Sequence, residues 1–172
     1  FIANIKSQRP SLSTAVYGNV VNSTGSIIPV LWNHIQNNTT ATLYHENMTR
    51  FLMTIDEAID LIEQCLSYSS HGCSILPICK SARVKDIFDI FNEKFGVNYQ
   101  IGVPRPNEKI HEVLASKEEL NRTSIVPAKN IYQMSPYQCV FKLTENEISS
   151  ENNPMTKEEL RVFFQDNKWF KP

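Results

Sequence analysis

Two arginines, one asparagine and one glutamate stand where the sequence changes between loop and regular structure. Arg50 opens an extended segment, and Arg105 lies between two prolines, which leave its backbone little freedom to lose on binding. A guanidinium can hold phosphate through two parallel hydrogen bonds, and a carboxylate such as Glu108 can accept hydrogen bonds from a diol. Asn19 lies near the end of an apolar run, where open α/β sheets bind ligands. These residues predict a site for a phosphate and a diol, with a solvated surface charge as the alternative for each arginine.

Other kinds of catalytic or metal site find no support in the sequence. It contains no GxGxxG after a predicted strand, no GxxxxGK[ST], no HExxH and no GxSxG motif. The histidines have no ligand spacing and the cysteines form no CxxC pair, so we expect no metal site and no complete catalytic machinery. The histidines and cysteines are His34, His45, His71, His111, Cys65, Cys73, Cys79 and Cys139.

The composition limits the kinds of partner. The 172 residues include 17 basic and 18 acidic ones, and the net charge of −1 is not the electrostatic footprint of a nucleic-acid-binding protein. With 41% hydrophobic residues, the chain can bury the core of an ordinary domain. It has no apolar run of about 18 residues, so we expect no membrane span. The first residue is Phe1, so we expect the sequence to be part of a longer protein.

The cysteines and the possible glycosylation sites leave two compartments open. Four cysteines are an even number, and Asn22, Asn38, Asn47 and Asn121 begin N-x-S/T sequons, as in a secreted domain with two disulfides. The chain is rich in Asn, Ser and Thr, however, so sequons are expected by chance, and these residues contain no signal peptide. We therefore predict a reduced, cytoplasmic protein, with a secreted glycoprotein domain as the alternative.

Hydrophobic periodicity and cap residues predict strands that alternate with helices, which is typical of an α/β fold with two or three core strands. The second helix carries Ile55, Ala58, Ile59, Ile62 and Leu66 on one apolar face, as a helix packed on a core does. Residues 37–42 are predicted as a polar loop. The predicted strands cover residues 13–21, 50–54, 73–79 and 99–103. The predicted helices cover residues 26–35, 55–70, 84–95, 108–114 and 157–164.

Four segments, in order, resemble motifs of the nucleotide-sugar 4,6-dehydratases in the extended short-chain dehydrogenase/reductase superfamily. The most specific is RPNEKIHEVLASKEE (residues 105–119), which is similar to their RPGEKxHExLxxxEE. The best match is the subgroup that acts on UDP-N-acetylglucosamine in surface polysaccharide biosynthesis. The other segments are YGNVVNSTGSIIP (17–29), similar to RYGNVxxSRGSVxP; NMTRFLMTIDEAIDLI (47–62), similar to MTRFxxTxxxAxxLV; and ISSENNPMTKEELRVFF (148–164), similar to YSSxxN…LxxxEL.

The resemblance implies that the chain is the C-terminal part of such an enzyme. The expected fold is α/β, with late parallel strands of an extended Rossmann-type sheet and an α/β substrate-binding subdomain, without the dinucleotide-binding N-terminal half. Residues 1–36 would form the end of the Rossmann-like sheet and its following helix, and residues 37–172 the substrate-binding subdomain. Residues 1–4 resemble the tail of the helix that carries the catalytic YxxxK pair, so catalytic residues are expected upstream of Phe1.

The resemblance also implies ligands and partners. The complete family enzyme uses NADP or NAD, and we expect neither to be bound to this chain alone. The expected partners are a UDP-sugar and a second copy, an N-terminal half or a homologue, with no nucleic acid. Tyr17 would contact the cofactor. The residues implied to bind substrate are Asn19 at the diphosphate or sugar, Ser26 at the start of a helix passing the nucleotide, Arg50 and Arg105 at the pyrophosphate, and Glu108 at the uridine ribose.

Three departures from the family pattern affect the expected activity. Val16 and Thr24 replace arginines of the pattern, and Asn107 replaces a glycine. Losing two cations weakens anion binding, whereas asparagine tolerates the left-handed backbone better than most residues. Two interpretations therefore stay open: the nucleotide-sugar-binding portion of an NAD(P)-dependent 4,6-dehydratase, or a non-catalytic remnant that binds a UDP-sugar.

Overall fold

The protein is described by a computed structural model that covers residues 12–68, 72–137, 143 and 146–171. The chain divides into two compact units that interleave along the sequence. The first unit comprises Phe1–Gly18, Ile55–Cys79 and Val113–Ser149, and the second comprises Asn19–Thr54, Lys80–Glu112 and Ser150–Pro172. Residue 36, at the predicted boundary, lies within the second unit. Residues 1–4, predicted as a helix tail, lie outside the described residues.

Eleven strands and five α-helices occur in the described part of the chain. The strands are β1 (Thr14–Ala15), β2 (Asn19–Val20), β3 (Ala41–Leu43), β4 (Thr49–Met53), β5 (Ser74–Pro77), β6 (Lys80–Arg83), β7 (Tyr99–Ile101), β8 (Val113–Ala115), β9 (Thr123–Val126), β10 (Ile131–Met134) and β11 (Ile148–Ser149). The helices are α1 (Ile27–Gln36), α2 (Ile55–Tyr68), α3 (Val84–Phe95), α4 (Lys117–Leu120) and α5 (Lys157–Asp166).

The first unit is built on a four-stranded sheet in the order β1-β5-β10-β9. Strands β1 and β5 are parallel, whereas β10 runs antiparallel to both of its neighbours. A second, antiparallel pair joins β8 to β11. Helix α2 lies against β1 and β5 and buries Leu61 and Cys65 together with Ile75 and Ile131 of the sheet. This unit therefore has its own small apolar core.

Helix α2 presents a different face to this core from the one that its apolar pattern predicts. Its buried residues include Ala58 and Leu61, but Ile55, Ile59 and Leu66 are 60%, 47% and 79% exposed. Two apolar stripes run along this helix, and helical periodicity alone does not select the stripe that the sheet covers. The prediction of the inward face was therefore wrong for all its members except Ala58.

The second unit combines a three-stranded sheet, a parallel pair and three helices. In the sheet, β4 is parallel to β2 and antiparallel to β6, and β3 pairs with β7 in parallel. Helices α1, α3 and α5 enclose an aromatic core around Phe91, which is fully buried. Its ring contacts Trp32, Phe95, Phe164 and Phe170 at centroid distances of 5.5–6.3 Å. This core fixes the helices that surround the site described below.

The predicted α/β class is confirmed, and the helices with clear local signals begin and end close to their predicted positions. Helix α3 ends at Gly96, which adopts the left-handed backbone with φ of 71°. Helix α5 begins with the predicted capping box, in which Thr156 and Glu159 each bind the other's backbone amide. Both signals depend on neighbouring residues only, so they can be recognised from the sequence.

The helix predicted over residues 108–114 is wrong. Residues 108–112 are irregular, and β8 begins at Val113. The carbonyl oxygens of Lys109 and Ile110 accept hydrogen bonds from the Arg50 guanidinium, and Ile110 also accepts from the Thr49 amide. Contacts with a distant strand therefore occupy the carbonyls that a helix would need for its own hydrogen bonds.

Several predicted strand boundaries also differ from the structure. The strand predicted over residues 13–21 consists of β1 and β2, which belong to different sheets. The predicted loop at residues 37–42 contains the start of β3, and β6, β9, β10 and β11 were not predicted. The sheets therefore hold more strands than the expected two or three. Short strands owe their formation to pairing with distant segments, which local composition does not reveal.

Two further observations concern the membrane and the cysteines. Within the described ranges, no helix is both long and apolar enough to cross a membrane. Cys65, Cys73 and Cys79 form no disulfide among the residues that the structure describes, and Cys139 lies outside those residues. The pKa of the Cys79 thiol is raised to about 12, chiefly by burial and secondarily by the charge of Glu57. This thiol therefore stays protonated at neutral pH.

Candidate functional site

The second unit contains a cavity of about 620 Å³, a size typical of ligand-binding clefts. Its apolar wall includes Leu43 of β3, Leu52 of β4 and Ile87 and Phe88 of α3. Polar groups stand among these apolar ones, which is the usual composition of a small-molecule site. All five residues predicted to bind substrate line this one cavity: Asn19, Ser26, Arg50, Arg105 and Glu108.

The start of α1 supplies an end of the cavity suited to an anion. Ser26 is the N-cap residue, and its Oγ is buried without a hydrogen-bond partner among the described residues. The preceding loop turns sharply because Asn22 and Gly25 adopt left-handed backbone, with φ of 64° and 77°. The first amides of a helix lack intrahelical acceptors and carry the positive end of its dipole. This end can therefore bind a phosphate oxygen.

Arg50 is held by the protein itself. Its guanidinium donates to the carbonyl oxygens of Thr49, Lys109 and Ile110, at 2.8, 2.8 and 3.1 Å. It also forms an ion pair with Glu108 at 2.8 Å and approaches Glu112 at 3.6 Å, and its side chain is only 14% exposed. The charge of Arg50 is thus compensated, and its contacts fix the loop that leads from Arg105 to β8.

Arg105 has a different environment. Its guanidinium carbon lies 4.4 Å from the centre of the Tyr44 ring, and one of its N–H groups donates to the Tyr44 hydroxyl. Among the residues that the structure describes, Arg105 forms no ion pair with a carboxylate. The next turn contains Asn107 with φ of 67°, the left-handed backbone for which asparagine is suited. Arg105 therefore brings an uncompensated positive charge to the cavity.

A hydroxyl and histidine network holds the same loop from its other end. His111 Nδ1 and Thr49 Oγ1 lie 2.8 Å apart, and Thr49 Oγ1 lies 2.7 Å from Ser150 Oγ. The Ser150 hydroxyl also accepts a hydrogen bond from the Glu112 amide, and His111 Nε2 lies 3.1 Å from Glu151. Thr49 and Ser150 are buried. These contacts position the loop. Thr49, His111 and Ser150 each match a position of the family motifs quoted above, but the sequence assigned them no role.

The cavity lining also includes two residues with polar rings, Tyr44 and His34, that the sequence did not single out as site residues. Tyr44 follows β3, in a stretch without a predicted element, and His34 lies on the last turn of α1. Thr42 and Tyr44 are two residues apart and so lie on the same face of a strand, and this spacing was the feature of the sequence that could have indicated Tyr44. Tyr17 belongs to the first unit and is 49% exposed. Neither observation tests its expected contact with the cofactor, which stays a prediction. Among the described residues, no group of acidic, histidine or cysteine side chains could hold a metal.

Asp89 links the wall helix α3 to β7. It accepts hydrogen bonds from Lys85, at 2.8 Å, and from the Tyr99 hydroxyl. Burial alone would raise the pKa of Asp89, but these hydrogen bonds outweigh burial and lower the pKa below its ordinary value. The carboxylate therefore stabilises the fold above the unfolded-state pKa of about 3.9, and this contribution is lost as the pH falls through the lower folded-state value.

We expect Asp89→Asn to lower the free energy of unfolding by about 1 kcal/mol at pH 7, because a charge-assisted acceptor is lost. The difference between variant and parent should shrink as the pH falls below about 4. Urea unfolding from pH 7 to pH 3 measures both quantities. Asp60→Asn, at an exposed position in the interior of α2, serves as a control, and a difference for Asp89→Asn that does not depend on pH would contradict the assignment.

Comparison with known proteins places these features in a family. Residues 2–135 match the family model described as polysaccharide biosynthesis protein. An uncharacterized membrane protein of Methanocaldococcus jannaschii is 30% identical over 139 residues, which cover 76% of this chain and 41% of that protein. The UDP-glucose 4-epimerase of Rickettsia bellii is 35% identical over 108 residues, which cover 60% of this chain and 31% of that protein. The chain thus spans well under half the length of these curated relatives.

A solved structure shares the fold. The X-ray structure of Pen from Bacillus thuringiensis superposes with a TM-score of 0.81 over 92% of this chain and 50% of that one, at 23% sequence identity. The fold and the family match agree with the predicted relationship to the extended short-chain dehydrogenase/reductase enzymes of sugar nucleotides. Because the family model covers well over half of its residues, the chain belongs to the polysaccharide biosynthesis protein family.

Proposed function

We propose that the cavity of the second unit binds the nucleotide part of a UDP-sugar. The observation that carries this proposal is that Asn19, Ser26, Arg50, Arg105 and Glu108, which come from separate stretches of sequence, line one cavity. The wider role is the nucleotide-sugar-binding portion of an NAD(P)-dependent 4,6-dehydratase in surface polysaccharide biosynthesis. Membership of the polysaccharide biosynthesis family supports that role.

The contacts suggest a different division of roles from the one that the resemblance implies. Arg105 and the start of α1 are the groups that bind the pyrophosphate, because Arg50 already has carboxylate and carbonyl partners. Glu108 is held by Arg50 through one carboxylate oxygen at 2.8 Å, and its other oxygen can accept from a ribose hydroxyl. The apolar wall around Phe88 offers a surface on which the base can pack.

In the proposed reaction, the sugar is oxidised at C4, loses water across C5 and C6, and receives hydride at C6. A bound nicotinamide cofactor supplies the hydride chemistry. The 172 residues contain no Gly-rich dinucleotide loop of the kind that holds such a cofactor. The residues of this chain bind and orient the nucleotide, which keeps the sugar in a fixed place for chemistry that other residues perform.

A 4-epimerase is the second candidate, because one relative is named UDP-glucose 4-epimerase. The proposed binding role is the same for both reactions, since each acts on a nucleotide sugar. A non-catalytic remnant that binds a UDP-sugar is the remaining alternative. Because the catalytic YxxxK pair is expected upstream of Phe1, the test joins this chain to the N-terminal half of a family member and supplies UDP-N-acetylglucosamine or UDP-glucose with NAD or NADP. The products separate the three: a 4-keto-6-deoxy sugar, a C4 epimer, or neither.

We expect Arg105→Ala to weaken UDP binding about tenfold or more, because a charge-assisted contact contributes about 1.5–3 kcal/mol and each 1.4 kcal/mol corresponds to a factor of ten. Isothermal titration calorimetry of the 172-residue chain with UDP measures the effect. Arg161→Ala is the matched control, because Arg161 lies on α5 and pairs with Glu93 and Glu158, away from the cavity lining. Equal affinities of the two variants would refute the proposed site.

A further inference from the structure

We infer that Tyr44 is a positioning residue for Arg105, a neutral clamp that directs the guanidinium to the phosphates of the ligand. This inference rests on the proposed nucleotide site. Nothing in the motifs of the sequence singles out Tyr44, and it acts through its contact with Arg105.

The contact between the two side chains has two components. The guanidinium carbon lies 4.4 Å from the Tyr44 ring centre, which is within the range of a cation–π interaction. The Tyr44 hydroxyl accepts a hydrogen bond from one guanidinium nitrogen. A guanidinium has five N–H donors, so this contact leaves others for a phosphate. Without Tyr44, an exposed arginine side chain would populate many rotamers, and binding would have to order it.

Backbone hydrogen bonds join the strand that leads to Tyr44 to the strand that leads to Arg105. The parallel pairing of β3 with β7 continues beyond Ile101, since the Gly102 amide donates to the Leu43 carbonyl oxygen at 2.8 Å. A Cβ on Gly102 would lie 2.5 Å from Cγ2 of Thr42, so the glycine permits this close approach. The pairing therefore ends one residue before Tyr44 on one strand and three residues before Arg105 on the other.

The chemistry of the clamp suits an anion site. A carboxylate would also hold Arg105, but it would cancel the charge, as Glu108 does for Arg50. Tyr44 holds the guanidinium through its ring and hydroxyl without adding a negative charge. The stable orientation and the uncompensated charge together lower the cost of binding a phosphate.

The test is calorimetric titration of UDP into the 172-residue chain and its Tyr44 and Arg105 variants. Tyr44→Ala should weaken binding about fivefold, whereas Tyr44→Phe, which keeps the ring, should stay within about twofold of the parent. Tyr44→Ala combined with Arg105→Ala should bind no more weakly than Arg105→Ala alone, because the clamp has then no arginine to position. Tyr137→Ala, at a tyrosine that is 78% exposed in the first unit, should leave the affinity unchanged.

The outcomes separate this inference from the proposed function. If Arg105→Ala weakens binding and Tyr44→Ala does not, the clamp is wrong and the nucleotide site stands. Additive losses in the double variant would also overturn the clamp, since Tyr44 would then act independently of Arg105. If the parent does not bind UDP, or Arg105→Ala binds as the parent does, the proposed function fails and the inference fails with it.

Discussion

Arg50→Ala is expected to lower the free energy of unfolding by about 2–4 kcal/mol, because it leaves two carbonyl groups and a half-buried carboxylate without their guanidinium partner. The carbonyls belong to Thr49 and Lys109 and the carboxylate to Glu108, whereas the Ile110 carbonyl keeps the Thr49 amide as a donor. Denaturant unfolding followed by circular dichroism measures the change. A residue that only contacts the ligand would change UDP affinity and leave stability unaltered, so the experiment distinguishes a loop-holding arginine from a ligand-binding one.

Arg50→Lys sharpens this test. A lysine keeps the charge but presents a single ammonium group, which cannot reach the carbonyl and carboxylate partners that the guanidinium bridges. We therefore expect Arg50→Lys to lose most of the same stability. Arg161→Ala, which removes two surface ion pairs, should change stability little. Wild-type stability in Arg50→Lys would show that charge alone is sufficient and would contradict the role described here.

Phe91→Ala is expected to cost about 3–5 kcal/mol of stability, because it removes a fully buried ring and leaves a cavity. The Phe91 ring contacts aromatic rings of α1, α3, α5 and the C-terminal segment, so its loss affects every helix of the second unit. Thermal unfolding of the variant measures the effect. Val162→Ala on α5 is the control, since Val162 is 57% exposed and should change stability by less than about 0.5 kcal/mol.

A loss of under about 1 kcal/mol in Phe91→Ala would mean that the neighbouring rings collapse into the space. Phe91→Leu separates the contribution of apolar burial from that of the ring contacts, since leucine keeps an apolar side chain but loses the edge-to-face ring contacts. We expect an intermediate loss for this variant. A similar loss in both variants would assign the stability to the ring contacts themselves.

The α/β class, the family and the residues that gather at the cavity could all be predicted from the sequence. Helices α3 and α5 were predictable because amphipathic spacing, Gly96 and the Thr156–Glu159 capping box act between near neighbours. The cavity residues were predictable because four motif segments retain their residue types and order. Such signals are read along the chain and need no knowledge of distant contacts.

The groups that these residues contact became evident only in the folded structure. Arg50 and Arg105 looked alike in the sequence, but Arg50 meets Glu108 and two carbonyls of a loop about 60 residues away, whereas Arg105 meets Tyr44. The same contacts replaced the predicted helix over residues 108–114 with an irregular loop. The partner of a guanidinium, the buried face of α2 and the pairing of short strands depend on which distant segments meet. Local composition and spacing do not show which distant segments come into contact.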